Sequence, residues 1–356
     1  MNRQNEWIWA VLHQAGLVQG PAPKTTKLES PWYVKVMLAF SGWLAALFLL
    51  GFIGMGYEFI IESSFASFIT GGVMIAGAYT LLRIPRNDFF EHLALAVSLA
   101  GQALVVWAIF DITKANNVMG WALVALLQAP LAVVMPNFIH RVFSSFFSAI
   151  AFSMALTSIG APYIFSGVVM FLAASIWLNE FRYPQHMRKI RAIGYGLVLA
   201  LIPLKGTALF GHGIWDLRST KNQSELWNQP WMGEVAAGAV MLYVVWQLLQ
   251  RHGQALTGRL AITALLGALV LCAVSMEAQG ITVGMVIMLL GFAGGNRVLL
   301  GLGVASLLFY ISSYYYLLDA TLLAKAQTLL FVGLVLLAGR WLMLRMMSGE
   351  KEIKDV

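Results

Sequence analysis

Apolar runs of about twenty residues recur along this chain with short polar breaks between them, and that length is what an α-helix needs to cross a hydrocarbon core of roughly 30 Å. Twelve such runs lie at approximately 33–56, 64–82, 90–110, 118–135, 142–159, 161–178, 192–210, 231–249, 260–276, 280–294, 298–318 and 320–342. Two boundaries need an argument, because 142–178 and 280–318 carry few charges. The second stretch would be nearly 60 Å long as one helix, at about 1.5 Å per residue. It must fold back, most simply at Gly294-Gly295-Asn296-Arg297, and Gly160-Ala161-Pro162 is the strong breaker in the first.

The expected fold class is therefore all-α, a polytopic transmembrane helical bundle of about 12 spans. Composition agrees, with 60% apolar and 11% charged residues in a chain of 356. Soluble domains hold about 45–50% and about 25%. A core of this size cannot hide the excess from water, so the excess faces lipid.

Basic residues concentrate in cytoplasmic loops, which gives an independent check on the span count. With both termini inside, 18 of the 23 Lys and Arg fall on the inner side, and every inner loop holds at least one. The outer side keeps Lys114, Lys205, Arg218, Lys221 and Lys325. Acidic residues divide evenly, eight on each side, so the net charge of +7 records orientation and gives no sign of nucleic acid. The expected organisation is a cytoplasmic segment 1–30, a transmembrane domain 31–345 and a cytoplasmic tail 346–356. In the first segment Trp7, Ile8, Val11, Leu12 and Ala15 recur at helical spacing, as in a short amphipathic helix on the inner surface. That segment has no apolar core after a basic start, so it is not expected to be a cleaved signal peptide.

Ionisable groups at membrane depth are costly and mark functional sites by default. Lys325 is the first of them. The apolar stretch 326–339 gives only about 21 Å of helix, so the last span must begin near Asp319 or Ala320, which puts Lys325 more than a turn below the outer surface. Asp319 and Glu277 are its available partners. Lys205 is the second, about 21 Å above Arg191 and beside Pro203 and Gly206, where a bent or broken helix is expected. His212 and Asp216, four residues apart, are too few to define a metal site. Glu58 and Glu62 form a second such pair and resemble the acids of polytopic lipid-linked glycosyltransferases, but the large outer domain of such enzymes is missing.

Neutral polar residues read as packing. Gln102 and Gln128 lie near mid-membrane, with Gln128 placed to satisfy carbonyls freed by Pro130 and Pro136. Ser144, Ser148, Ser153 and Thr157 give one span a small-residue face, and Gly301 and Gly303 do the same later. Tyr310, Tyr314, Tyr315 and Tyr316 approach the outer interface, where an aromatic belt and a docking surface are expected. Cys272, the single cysteine, excludes an internal disulfide and multi-thiolate metal sites.

The segments Gly295-Asn296-Arg297-Val298-Leu299-Leu300-Gly301-Leu302-Gly303, Tyr314 through Lys325, and Gly339-Arg340 resemble an uncharacterised bacterial inner-membrane family known only as a domain of unknown function. The resemblance covers roughly 280–345. It implies a bacterial inner (cytoplasmic) membrane location and a membrane or periplasmic partner carrying a GDYXXLXY motif, the usual neighbour of the family. It also draws attention to Asp319, Thr321, Lys325 and Arg340.

The first expectation is a non-enzymatic membrane component that docks a partner around Tyr315, Asp319 and Lys325. The alternative is a secondary transporter using Lys325, Lys205 and Asp319, and the third is a lipid-modifying enzyme at Glu58 and Glu62. The lipid bilayer is the one partner that composition itself requires, and no cofactor is expected.

Overall fold

A computed structural model of the chain describes residues 9, 11–16, 32–56, 62–83, 88–114, 116–161, 163–209, 230–253, 258–277 and 279–317, with scattered positions between 321 and 341. Of Glu277, Tyr314 and Tyr316 only the backbone is described. All regular structure among the described residues is helical. The long helices are α1 (Trp32–Gly56), α2 (Ser64–Arg83), α3 (Asp88–Thr113), α4 (Asn117–Val134), α5 (Phe138–Ser158) and α6 (Ile164–Leu178). After two short 3-10 turns come α7 (Met187–Leu209), α8 (Pro230–Arg251), α9 (Arg259–Glu277), α10 (Ile281–Ala293) and α11 (Arg297–Leu317). These eleven follow the first eleven predicted runs to within about a turn at either end. Residues 322–324, 326–327 and several more up to 341 are helical inside the twelfth run. In the N-terminal segment, residues 9 and 11–14 are helical.

The helix ends have local causes. Asn116 and Asn137 cap α4 and α5, their side-chain oxygens accepting the amides of Met119 (3.0 Å) and His140 (2.9 Å). The predicted fold-back occurs at Gly294–Asn296. There Gly295 adopts φ +61°, the Asn296 amide returns to the Gly291 carbonyl at 2.8 Å, and Asn296 Oδ1 caps α11 through Val298 and Leu299. Gly160 and Ala161 close α5 in the same manner, donating to Thr157 and Leu156.

Six of the described helices are long and apolar enough to cross a membrane. Their outward faces carry large apolar side chains, for example Leu126 at 68% exposure and Val73 at 66%. Exposure on that scale around a whole bundle suits lipid, and the chain is a multi-pass membrane protein.

Side-chain contacts sort the helix ends into two sets. Asn137, before α5, donates to Glu91 at the start of α3 (2.7 Å), and Phe138 meets Tyr195 in the first half of α7. Tyr195 also contacts Trp177 at the end of α6 and Asn296 before α11, while Arg251 at the end of α8 reaches the Leu178 carbonyl. Opposite these lie the Ser64–Asp111 bond and the cluster where α7, α8, α9 and α10 meet. Successive helices therefore alternate in direction from α2 to α11. Small residues bring them together: a Cβ on Gly71 would lie 2.5 Å from the Gly101 carbonyl of α3, and one on Gly303 would lie 2.5 Å from the Met288 amide of α10. Gly301, paired with Gly303 in the sequence reading, has open space around it.

Candidate functional site

Lys205 lies one turn from the end of α7, and the helix runs unbroken through Pro203. A proline removes one amide donor and bends the chain, so continuity past it needs support from neighbours. Tyr310 of α11 packs beside this stretch, its hydroxyl lying 3.3 Å and 3.4 Å from the carbonyls of Leu201 and Ile202. Its ring packs on Gly280, which has φ +93° and where a Cβ would come within 2.7 Å. Tyr310 is thus a core residue, and the aromatic-belt reading is corrected for it.

The Lys205 ammonium turns inward. Its Nζ donates to Glu234 Oε1 of α8 at 2.8 Å, with the two side chains 3% and 1% exposed. The other carboxylate oxygen, Oε2, accepts the Ser275 hydroxyl of α9 at 2.8 Å. That hydroxyl accepts in turn from the Thr282 amide in the first turn of α10, at 3.3 Å. Four helices therefore meet on one salt-bridged carboxylate. Gly233 lets α8 approach: a Cβ there would lie 2.9 Å from the Tyr163 carbonyl and 3.3 Å from Lys205 Nζ.

Lys205 was legible from its depth, and its partner was missed. Glu234 stands four residues into the eighth predicted run and reads as a flank charge. The usable signal was that it is the single acidic residue in that run.

A second polar centre joins α3, α4 and α5. Gln128 donates to Gln102 Oε1 (2.9 Å), and Gln102 Nε2 faces His140 Nε2 (2.9 Å), which Ser98 Oγ also approaches (2.7 Å). With Nε2 accepting, the ring hydrogen sits on Nδ1 and points to Ser144 Oγ at 3.2 Å. The glutamines thus bind each other, Gln102 also binds His140, and the expectation that Gln128 satisfies proline-freed carbonyls is replaced by this pairing.

Of the other predicted positions, Thr321 is exposed and its hydroxyl accepts the Ala324 amide as a helix cap. Tyr315 is half-buried near the end of α11, and Glu62 is exposed beside α2. Asp319, Lys325, Arg340, Glu58, His212 and Asp216 lie outside the described residues. No group of three or more His, Cys, Asp or Glu suited to a metal occurs among the described residues.

The family described as a domain of unknown function (DUF4401) matches residues 31–346. No curated protein and no solved structure matches the chain.

Proposed function

Because this chain belongs to the family of the domain of unknown function (DUF4401), which attaches no reaction to it, we propose from its own geometry that it is a solute carrier working around Lys205 and Glu234. It acts as a non-enzymatic, twelve-span protein of the bacterial inner membrane with both ends cytoplasmic. The observation that carries the reading is the buried Lys205–Glu234–Ser275 cluster. Replacing a buried ion pair with apolar side chains of like volume is often neutral or stabilising, so packing alone gives little reason to hold one at membrane depth. A carrier has a reason, since charges that satisfy each other in one state can take solute or proton in another. Twelve spans and the alternating helix directions suit that role.

The test is complementation. A strain lacking the gene is grown across nutrients and toxic solutes until a phenotype appears, and variants are then compared at equal membrane abundance. Wild type restores growth; Lys205→Met and Glu234→Gln do not. Full restoration by both variants overturns the reading.

A further inference from the structure

The Lys205 ammonium has three N–H donors, and among the described residues Glu234 is its one hydrogen-bond partner. The carboxylate is better served: Oε1 takes Lys205, Oε2 takes Ser275, and Ser275 is itself held by the Thr282 amide. Among the described residues two N–H donors of the ammonium are thus left over, and these are what an anion would take.

We propose that Lys205 is the binding group for a small organic monoanion, a monocarboxylate in the first instance, and that Glu234 is the internal anion which the substrate replaces when Glu234 takes up a proton. This rests on the carrier reading and names its substrate class. Charge balance requires the proton. The resting pair is neutral, Lys205 positive and Glu234 negative. With one proton on the Glu234 carboxylate and one monoanion on the Lys205 ammonium the site is again neutral. An anion entering alone would leave one buried negative charge uncompensated, which a low-dielectric interior disfavours. Substrate and proton thus enter and leave together, and no covalent bond other than the carboxyl O–H forms or breaks. The protonated carboxyl keeps a role, because its carbonyl oxygen still accepts from Ser275.

Among the described residues, the titratable groups facing Glu234 are Lys205 from α7, Cys272 from α9 and Tyr310 from α11. Neither the thiol nor the phenol supplies a positive charge. Among these described groups, Lys205 is therefore the cation left for an anion once Glu234 is neutral.

The probes are benzoate and acetate, with benzylamine and methylammonium as cations of matched size. Binding to the purified full-length protein in lipid nanodiscs is read by calorimetry. In Glu234→Gln, an uncharged mimic of the protonated state, carboxylate affinity at neutral pH is expected to exceed that of wild type by about tenfold. Adding Lys205→Met abolishes it. Wild type needs no substitution to report: because the anion enters together with a proton, its carboxylate affinity is higher at about pH 5.5 than at about pH 7.5, while amine affinity is not. Amine binding that depends on Glu234, without carboxylate binding, overturns the anion site and leaves the carrier reading intact. Carboxylate affinity that is the same in wild type, Glu234→Gln and the double variant at both pH values overturns it equally. Failure of the carrier reading itself appears elsewhere, as complementation by variants of the pair.

Discussion

An ammonium group taken out of water costs several kcal/mol, and Lys205 recovers that cost through one carboxylate, itself tied to a hydroxyl. The arrangement makes Ser275 a supporting residue whose loss is felt by the pair. Ser275→Ala leaves Glu234 Oε2 buried with one acceptor position empty and takes the acceptor from the Thr282 amide. Stability should fall by about 1.5–3 kcal/mol, the range for a hydrogen bond to a charged group. A thermal unfolding series in one lipid composition measures it, and an unchanged midpoint contradicts the role given to Ser275. At this scale the sequence was half readable. A lysine inside an apolar run stands out because membrane depth can be counted from the run's ends. Its partner lies 29 residues away on another helix, and pairing between helices leaves no periodic trace in a single sequence. Tyr310 shows a related ambiguity. A tyrosine has an apolar ring and a polar tip, so it suits both a membrane interface and a core with carbonyls to satisfy. Only its neighbours Gly280, Leu201 and Ile202 decide for the core.

Helices here are specified at their ends by breakers and caps, and between their ends by which face carries small residues. The first is legible: Gly294-Gly295-Asn296 forms the turn that its residue types imply. The second is not, because Gly301 and Gly303 look alike in sequence and differ in space. Gly303 lies on the face pressed against α10 at Met288, whereas Gly301 faces open space. Gly303→Val therefore has to push two backbones apart and should cost about 1–3 kcal/mol, as overpacking does. Gly301→Val should stay within about 0.5 kcal/mol of wild type. The ratio of folded to aggregated protein after heating reports the contrast, and equal effects at the two positions contradict the described α10–α11 packing. The proline in α7 carries the same lesson. Pro203 signals a bend or a break, and α7 runs on through it.

At the scale of the molecule, the helix directions and the distribution of basic residues give one topology. Contacts put Arg141, Arg191, Arg251 and Arg297 near the same end of the bundle, and the Lys205–Glu234 pair sits toward the other. If the basic end is cytoplasmic, a periplasm-active reporter fused after Arg345 stays silent, and one fused after Lys114 is active. The reverse pattern inverts the orientation. Apolar runs made this level the most legible, because lipid imposes a length and a sign rule that water does not. Function was the least legible, since it depends on which few polar side chains the bundle brings together. The central claim is that the buried pair is kept for work and not for packing. The direct measurement is complementation by Lys205→Met/Glu234→Leu, which removes both charges and so spares the bundle an unpaired one. The account predicts a protein that reaches the membrane at wild-type abundance and fails to restore growth. Growth equal to wild type would mean that the pair is scaffold, and would contradict it.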